Sequence, residues 1–345
     1  MIMPHSETGL PPPDTCPAVP RPADRDLVWR ERVRASPTGP LLIAAEEGGR
    51  PDGPVRLAEL LARRHRLNAH VLAVVRPLAS SVSSAVSSVA GMEGTELDEC
   101  RRQAARARLR ARVGELVGLS SFFSTSAKLG ELVSTVDEAA RRRRVEYVLT
   151  DIAPAGDPLR GSTTATALRL ARASVAPVLA VPPTTDDLPR SALVCTDFTE
   201  ASARAALAVV PLLAHRGELT LAHIAPPLTG TVDEDWVASW NLWATTELRA
   251  LADRLRAPNH LRVYLLLLRG NAESVVARSA GNFDLVAIGA PAADRRLLGT
   301  GGGVAAAVLR HAPGTVLLAP DPARNLQSGP ACLGSSATAA GSSTR

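Results

Sequence analysis

Tyr147-Val-Leu-Thr-Asp-Ile-Ala-Pro-Ala and Leu285-Val-Ala-Ile-Gly-Ala-Pro-Ala-Ala are two copies of one pattern, a short apolar run closing on a proline-containing turn. The match extends outward in both directions. Downstream, Val178-Leu-Ala-Val-Pro pairs with Val316-Leu-Leu-Ala-Pro in the same register. Upstream, Leu41-Leu-Ile-Ala-Ala-Glu pairs with Ala192-Leu-Val-Cys-Thr-Asp, and Val71-Leu-Ala-Val-Val-Arg-Pro with Leu221-Ala-His-Ile-Ala-Pro-Pro. Self-similarity in a constant order marks one fold used twice. The first copy is longer because the low-complexity stretch Ala79-Ser-Ser-Val-Ser-Ser-Ala-Val-Ser-Ser-Val-Ala-Gly is inserted in its middle.

Within each copy, short apolar runs alternate with longer amphipathic stretches. In the second, this predicts strands at about 191–196, 218–224, 261–268, 284–288 and 315–319. Helices are expected at about 200–215, 233–256, 272–281 and 303–311. Parallel strands need crossover connections, so this order predicts an α/β fold of two tandem, doubly wound, five-stranded parallel sheets of Rossmann-like type. Ala192–Val194 and Leu285–Ile288 are apolar on both faces, as in a sheet covered on both sides. The first copy follows the same order, with a helix at about 98–117 and a strand at about 145–150. The expected domains are 38–183 and 190–320, joined by a linker from Pro182 to Pro189. The Pro-rich residues 1–37 and the Gly/Ser/Ala-rich residues 321–345 read as disordered.

Composition agrees. A chain of 345 residues has room for two domains that each bury a core, and with 3% aromatic residues those cores must rest on Val, Leu, Ile and Ala. The net charge of +5 raises nucleic acid or an anionic membrane as a partner. Against both stands the placement of the arginines beside acidic residues on helices, as in Glu96-Leu-Asp-Glu-Cys-Arg-Arg, which reads as a solvated face. Cys16, Cys100, Cys195 and Cys332 form no CxxC and have no His at ligand spacing, so neither a disulfide framework nor a zinc site is expected, and a reducing cytoplasm fits. No apolar run reaches the ~18 residues of a membrane span, and the Pro-rich start lacks the apolar core of a signal peptide.

In open α/β sheets the ligand crevice lies beyond the carboxyl ends of the strands. In the second copy those ends carry Thr196-Asp197-Phe198-Thr199-Glu200-Ala201-Ser202 and Gly289, the latter leading through a loop with Arg295 and Arg296 to Leu298-Gly-Thr-Gly-Gly-Gly-Val-Ala. Glycines allow backbone amides to converge on a phosphate, and a following helix adds its positive end.

These segments resemble the universal stress protein family, whose nucleotide-binding members carry Gly-x2-Gly-x9-Gly-Ser/Thr between strand four and the last helix. Gly289 and Gly302 fall at the first and third glycines, and Val304-Ala-Ala-Ala-Val-Leu-Arg-His-Ala-Pro-Gly-Thr-Val-Leu-Leu is similar to the family's final helix and strand. Thr196-Asp197-Phe198-Thr199 resembles its first-strand end, His223-Ile224 the close of its second strand, and Arg269-Gly270-Asn271-Ala272 its turn into helix three. The resemblance implies an ATP site in which Asp197 meets the nucleoside, Ile224 the adenine, and Gly289, Gly302, Gly303 and Val304 the phosphates. It also implies a pseudo-dimer of the two domains through their last strands, with a homodimer left open. There are departures. Ala292 replaces the second glycine and Gly303 the Ser/Thr, removing a hydroxyl whose bond to phosphate is worth about 1–3 kcal/mol. In the first copy Asp151, Pro154 and Thr164-Ala165 stand at the motif positions and Glu46 at that of Asp197, so this copy is expected to be a structural partner. Gly161-Ser162 restores a phosphate turn there only if the helix begins a turn earlier.

Other conspicuous residues have plainer readings. Trp236, Trp240 and Trp243 share a helix face and are expected to pack rather than stack on a ligand. His223 is expected to be a satisfied structural histidine, Ser202 to cap or pack a helix, and the Arg141–Arg144 run to complement a helix end. With no general base, metal-binding carboxylate pair or Walker lysine in view, an enzyme is not expected. The functional expectation is a cytoplasmic stress protein that binds adenine nucleotide in its second domain. The alternative is a ligand-free interaction scaffold of the same fold.

Overall fold

A computed structural model of the chain describes residues 37–78, 94–118, 122–228, 234–256, 261–290 and 303–320. The insertion at 79–91 and the sequence-predicted Ala292, Arg295, Arg296 and Gly302 lie outside these residues. The first half runs β1 (Leu41–Glu46), α1 (Asp52–His65), β2 (Ala69–Val75), α2 (Gly94–Val117), β3 (Phe123–Leu129), α3 (Leu132–Arg143), β4 (Tyr147–Asp151), α4 (Arg160–Ala173) and β5 (Val178–Val181). The second runs β6 (Ser191–Cys195), α5 (Glu200–Val209), β7 (Glu218–Ala225), α6 (Glu234–Arg256), β8 (Arg262–Arg269), α7 (Ala272–Ser279), β9 (Leu285–Gly289), α8 (Val304–His311) and β10 (Thr315–Ala319).

Local chemistry explains the boundaries. Three helices start at a side-chain cap that accepts a backbone N–H three residues on: Glu131 from Ser134 (2.9 Å), Thr199 from Ser202 (3.3 Å) and Asn271 from Ser274 (3.0 Å). The helix expected at about 200–215 is shorter, because Pro211 carries no N–H to continue the ladder and the chain tightens into a 3₁₀ turn over Val210–Leu212. The helix expected to 281 likewise ends in a 3₁₀ turn, Ala280–Asn282.

The strands lie in the order β3-β2-β1-β4-β5-β10-β9-β6-β7-β8. Each half is a parallel five-stranded doubly wound sheet, and the two join edge to edge into one ten-stranded sheet. The join is antiparallel, with Val316 opposite Ala180, Leu317 opposite Leu179 and Leu318 opposite Val178. The last strands therefore shield each other's backbone edge, as the resemblance implied. Successive strand residues bury on opposite faces: Leu41 and Ile43 enter one core layer, Leu42 and Ala44 the other. Both layers run through the join without a break. Leu57 and Leu212 share one, Leu170 and Val308 the other.

Polar side chains of the first half also cap carbonyls of the second. The buried Tyr147 hydroxyl donates to the Ala208 carbonyl at 2.8 Å, and Nε2 of His65 donates to that of Pro211 at 2.9 Å. Arg160, 5% exposed, donates through Nε to the Leu309 carbonyl and through Nη2 to that of Ala312, both at 2.6 Å, and through Nη1 to Ala153 of its own half. A guanidinium thus closes the carbonyl end of α8, where the helix dipole favours a cation. The arginine-rich faces behave as expected. On α2, Arg101 pairs with Glu47 and Asp98, and Arg112 with Asp52 and Glu115. Arg141, Arg142 and Arg143 occupy the last turn of α3.

Candidate functional site

β6 has β7 on one side and β9 on the other, so the chain reverses direction across the sheet at this strand. Such a switch point opens a crevice beyond the strand ends. β6 stops at Cys195 while β7 continues to Ala225. Alternation along β7 then decides which backbone groups face the gap. The Ala222 carbonyl accepts from Thr196 N on the β6 side (2.9 Å), and the Ala225 carbonyl accepts from Gly270 N on the β8 side (2.9 Å). Ile224 has the parity of Ala222, so its N–H and C=O point into the space that β6 vacates.

A cavity of about 590 Å³ fills this space. Its walls are the end of β6 (Cys195 to Asp197), the start of α5 (Thr199 to Ser202), His223 and Ile224, Ala272 and Val276 of α7, Ile288 to Ala290, and the first turn of α8 (Gly303 to Ala306). Five of the six sequence-predicted residues, Asp197, Ile224, Gly289, Gly303 and Val304, therefore meet around one space. The sixth, Gly302, lies outside the described residues. Leu168, Ala171 and Arg172 of α4 complete the cavity from the first half, a wall that strand-end reasoning within one copy had no means of finding.

The turn after β6 is held by its own hydroxyls and carboxylate. Thr196 Oγ1 accepts from Phe198 N (3.0 Å) and lies 3.0 Å from Ser202 Oγ, while Asp197 Oδ1 accepts from the Thr199 N–H (3.1 Å) and hydroxyl (2.6 Å). Phe198 takes a left-handed φ of 62°, which is strained for a bulky residue. Its ring gains a stack on His223 at 4.4 Å and an edge contact with Trp243 at 5.0 Å. Trp240 lies 5.2 Å from His223, so the tryptophans pack over the turn as core, as expected. The expectation for His223 needs correction. Nδ1 donates to the Thr196 carbonyl at 2.7 Å, but the buried Nε2 has no partner among the described residues. Burial lowers the pKa of His223, against a smaller raising effect of Asp197, and keeps the ring neutral. Burial also pushes the Cys195 thiol up to about 12, so this cavity-lining cysteine stays protonated.

Gly289 has a packing reason of its own. A Cβ there would come within 2.6 Å of Ser202 N and 2.8 Å of the Ala201 carbonyl carbon, so α5 closes on β9 only over a glycine. At the start of α8, Gly303 has φ 99° and its N–H donates to Glu273 Oε1 at 2.8 Å. The amide that the resemblance assigned to phosphate thus already holds a carboxylate. Glu273 was not singled out in the sequence. The signal was present in Arg269-Gly270-Asn271-Ala272, because the Asn271 cap sets Glu273 in the first turn of α7.

The first copy lacks this arrangement. Asp151 stands at the Gly289 position, its pKa raised by burial and by the nearby Glu46. α4 does begin a turn early, at Arg160, but Ser162 Oγ donates to the Leu159 carbonyl and Thr163 Oγ1 accepts from Ala153 N (3.1 Å), so the turn is closed by its own groups. The cavity of about 320 Å³ in this half lies between Glu46–Pro51 and α2 and includes no residue of β4 or α4. Among the described residues, no group of three His, Cys, Asp or Glu is placed to hold a metal ion, and no helix is long and apolar enough to cross a membrane.

A switch-point crevice with a backbone edge of the neighbouring strand on one side and a helix N-terminus on the other defines the class: a doubly wound α/β domain with an open crevice at its strand ends. Residues 189–320 match the model of the universal stress protein family. The first half, outside the matched residues, repeats the same fold in tandem. A universal stress protein from Archaeoglobus fulgidus DSM 4304 superposes with a TM-score of 0.57 at 13% identity, covering 83% of this chain and 98% of its own. A protein from Pseudomonas aeruginosa PAO1, described as functionally unknown, superposes at 0.50 and 16% identity, covering 82% and 93%. At such identities the likeness speaks for the fold alone. A search of curated proteins finds no match.

Proposed function

We propose that the second domain binds an adenine nucleotide, ATP among them, in the crevice between β6, β7 and β9, and that the first domain serves as its structural partner. The observation that carries this reading is the convergence of Asp197, Ile224, Gly289, Gly303 and Val304 on one cavity. A donor and an acceptor side by side on Ile224 match the hydrogen-bonding edge of adenine. Asp197 lies where a ribose would follow, and the positive end of α8 where phosphate would. The chain then acts as a cytoplasmic sensor or store in stress signalling, a binder rather than a catalyst. Isothermal titration of the full chain with ATP tests this: binding with a thermal shift is expected, and neither heat nor shift at millimolar ATP rejects it.

The bond between Gly303 and Glu273 favours a second reading, a ligand-free interaction scaffold of the same fold. Asp197→Ala separates the two. A scaffold keeps its partner binding and a nucleotide sensor loses it.

A further inference from the structure

The first turn of α8 opens on the cavity with Gly303 to Ala306, so the positive end of this helix faces any ligand there. Gly303 has no side chain with which to cap the helix, and the cap is supplied from a neighbouring one: Glu273, fixed in the first turn of α7 by the Asn271 cap, places Oε1 2.8 Å from Gly303 N. The remaining charge around the cavity points the same way. Among the described lining residues Asp197 and Glu200 are anionic and Arg172 is the one cation. An incoming phosphate therefore meets carboxylates on the wall and a carboxylate already on the amide it needs.

We infer that Glu273 is the specificity-determining residue of this site, an internal anion that phosphate must displace and an uncharged nucleoside need not. The inference rests on reading the cavity as an adenine-nucleotide site and names how that site ranks its ligands. The nucleoside end docks on Ile224 and Asp197 with Glu273 in place, whereas the phosphate end docks only as Glu273 leaves Gly303. The side chain is half-buried at the start of a short helix, so it is free to swing outward without unfolding anything.

The test is titration of the full chain and of its Glu273→Gln and Glu273→Ala variants with ATP and, separately, with adenosine. Gln keeps an acceptor but removes the charge, and Ala clears the seat. ATP affinity is expected to rise on the order of tenfold in the Gln variant and at least as much in the Ala variant. Adenosine affinity should stay within about twofold of the parent. If ATP and adenosine affinities move together, or neither moves, Glu273 is merely a helix cap and the inference is overturned. If neither ligand binds any of the three proteins, the nucleotide reading itself falls and takes the inference with it.

Discussion

Arg160→Met measures how firmly the two halves are clasped. The substitution keeps most of the side chain's apolar volume and removes a cation that donates to the Leu309, Ala312 and Ala153 carbonyls. Hydrogen bonds to a charged group are worth about 1.5 kcal/mol each at the low end, so the three contribute about 4–5 kcal/mol. The carbonyl end of α8 adds about 1 kcal/mol. Against this stands the cost of burying a guanidinium that has no carboxylate partner at these contacts, the same burial that lowers its pKa, which offsets about 2–3 kcal/mol. The net loss expected is about 3 kcal/mol, large for a domain of marginal stability. Urea unfolding followed in parallel by far-UV circular dichroism and tryptophan fluorescence reads both the size and the place of the loss. Three of the four tryptophans, Trp236, Trp240 and Trp243, sit in α6, so in a Trp29→Phe background fluorescence reports the second half while dichroism reports both. In the parent the two transitions should coincide; in the variant they should separate, with a lower midpoint for the half that unclasps first. A loss under about 1 kcal/mol with coincident transitions would refute the reasoning, because it would mean the three bonds do no more than balance their own desolvation.

Three further outcomes are expected. Gly289→Ala forces a Cβ into α5 at 2.6 Å from Ser202 N and should cost about 1–3 kcal/mol in chemical denaturation whether or not ligand is present; unchanged stability would show that α5 yields freely. Leu168→Trp, on the α4 wall, should fill the second domain's cavity and abolish ATP and adenosine binding alike with a circular dichroism spectrum like the parent's, and retained binding would remove the first half from the site. His70, held between Ser124 (2.8 Å) and Ser126 (2.7 Å), has its pKa lowered from 6.5 to about 4, first by burial and then by Arg143, Arg142 and Lys128. Since the unfolded chain takes up this proton and the folded chain does not, stability should be level above about pH 6.5 and fall by at most about 1.4 kcal/mol per unit from there towards pH 4, a decline that His70→Gln should flatten.

Much of this molecule was legible in its sequence because the signals are local. Apolar runs such as Leu285–Ile288 act within a few residues of where they stand, so elements and their order follow from the chain alone, whereas the equally local break at Pro211 was passed over by a helix expected to about 215. The repeat then supplied the topology, and strand-end reasoning found Asp197 and Gly289, with Ile224 added by the resemblance, because in a parallel sheet those ends must lie together. Sequence register also set the start of α4 near Thr164, whereas the helix begins at Arg160, whose guanidinium reaches across to the other half. What only the tertiary structure decided are meetings between segments that no local rule relates. Glu273 and Gly303 are 30 residues apart, and Arg160 and Ala312 are 152 apart. Each pair exists because two helices pack on the same face of the sheet, and for Arg160 and Ala312 that face is made continuous by the antiparallel join of β5 and β10. A chain's periodicity determines which residues it buries; it takes the closing of the sheet to determine which buried carbonyl, amide or carboxylate each of them then faces.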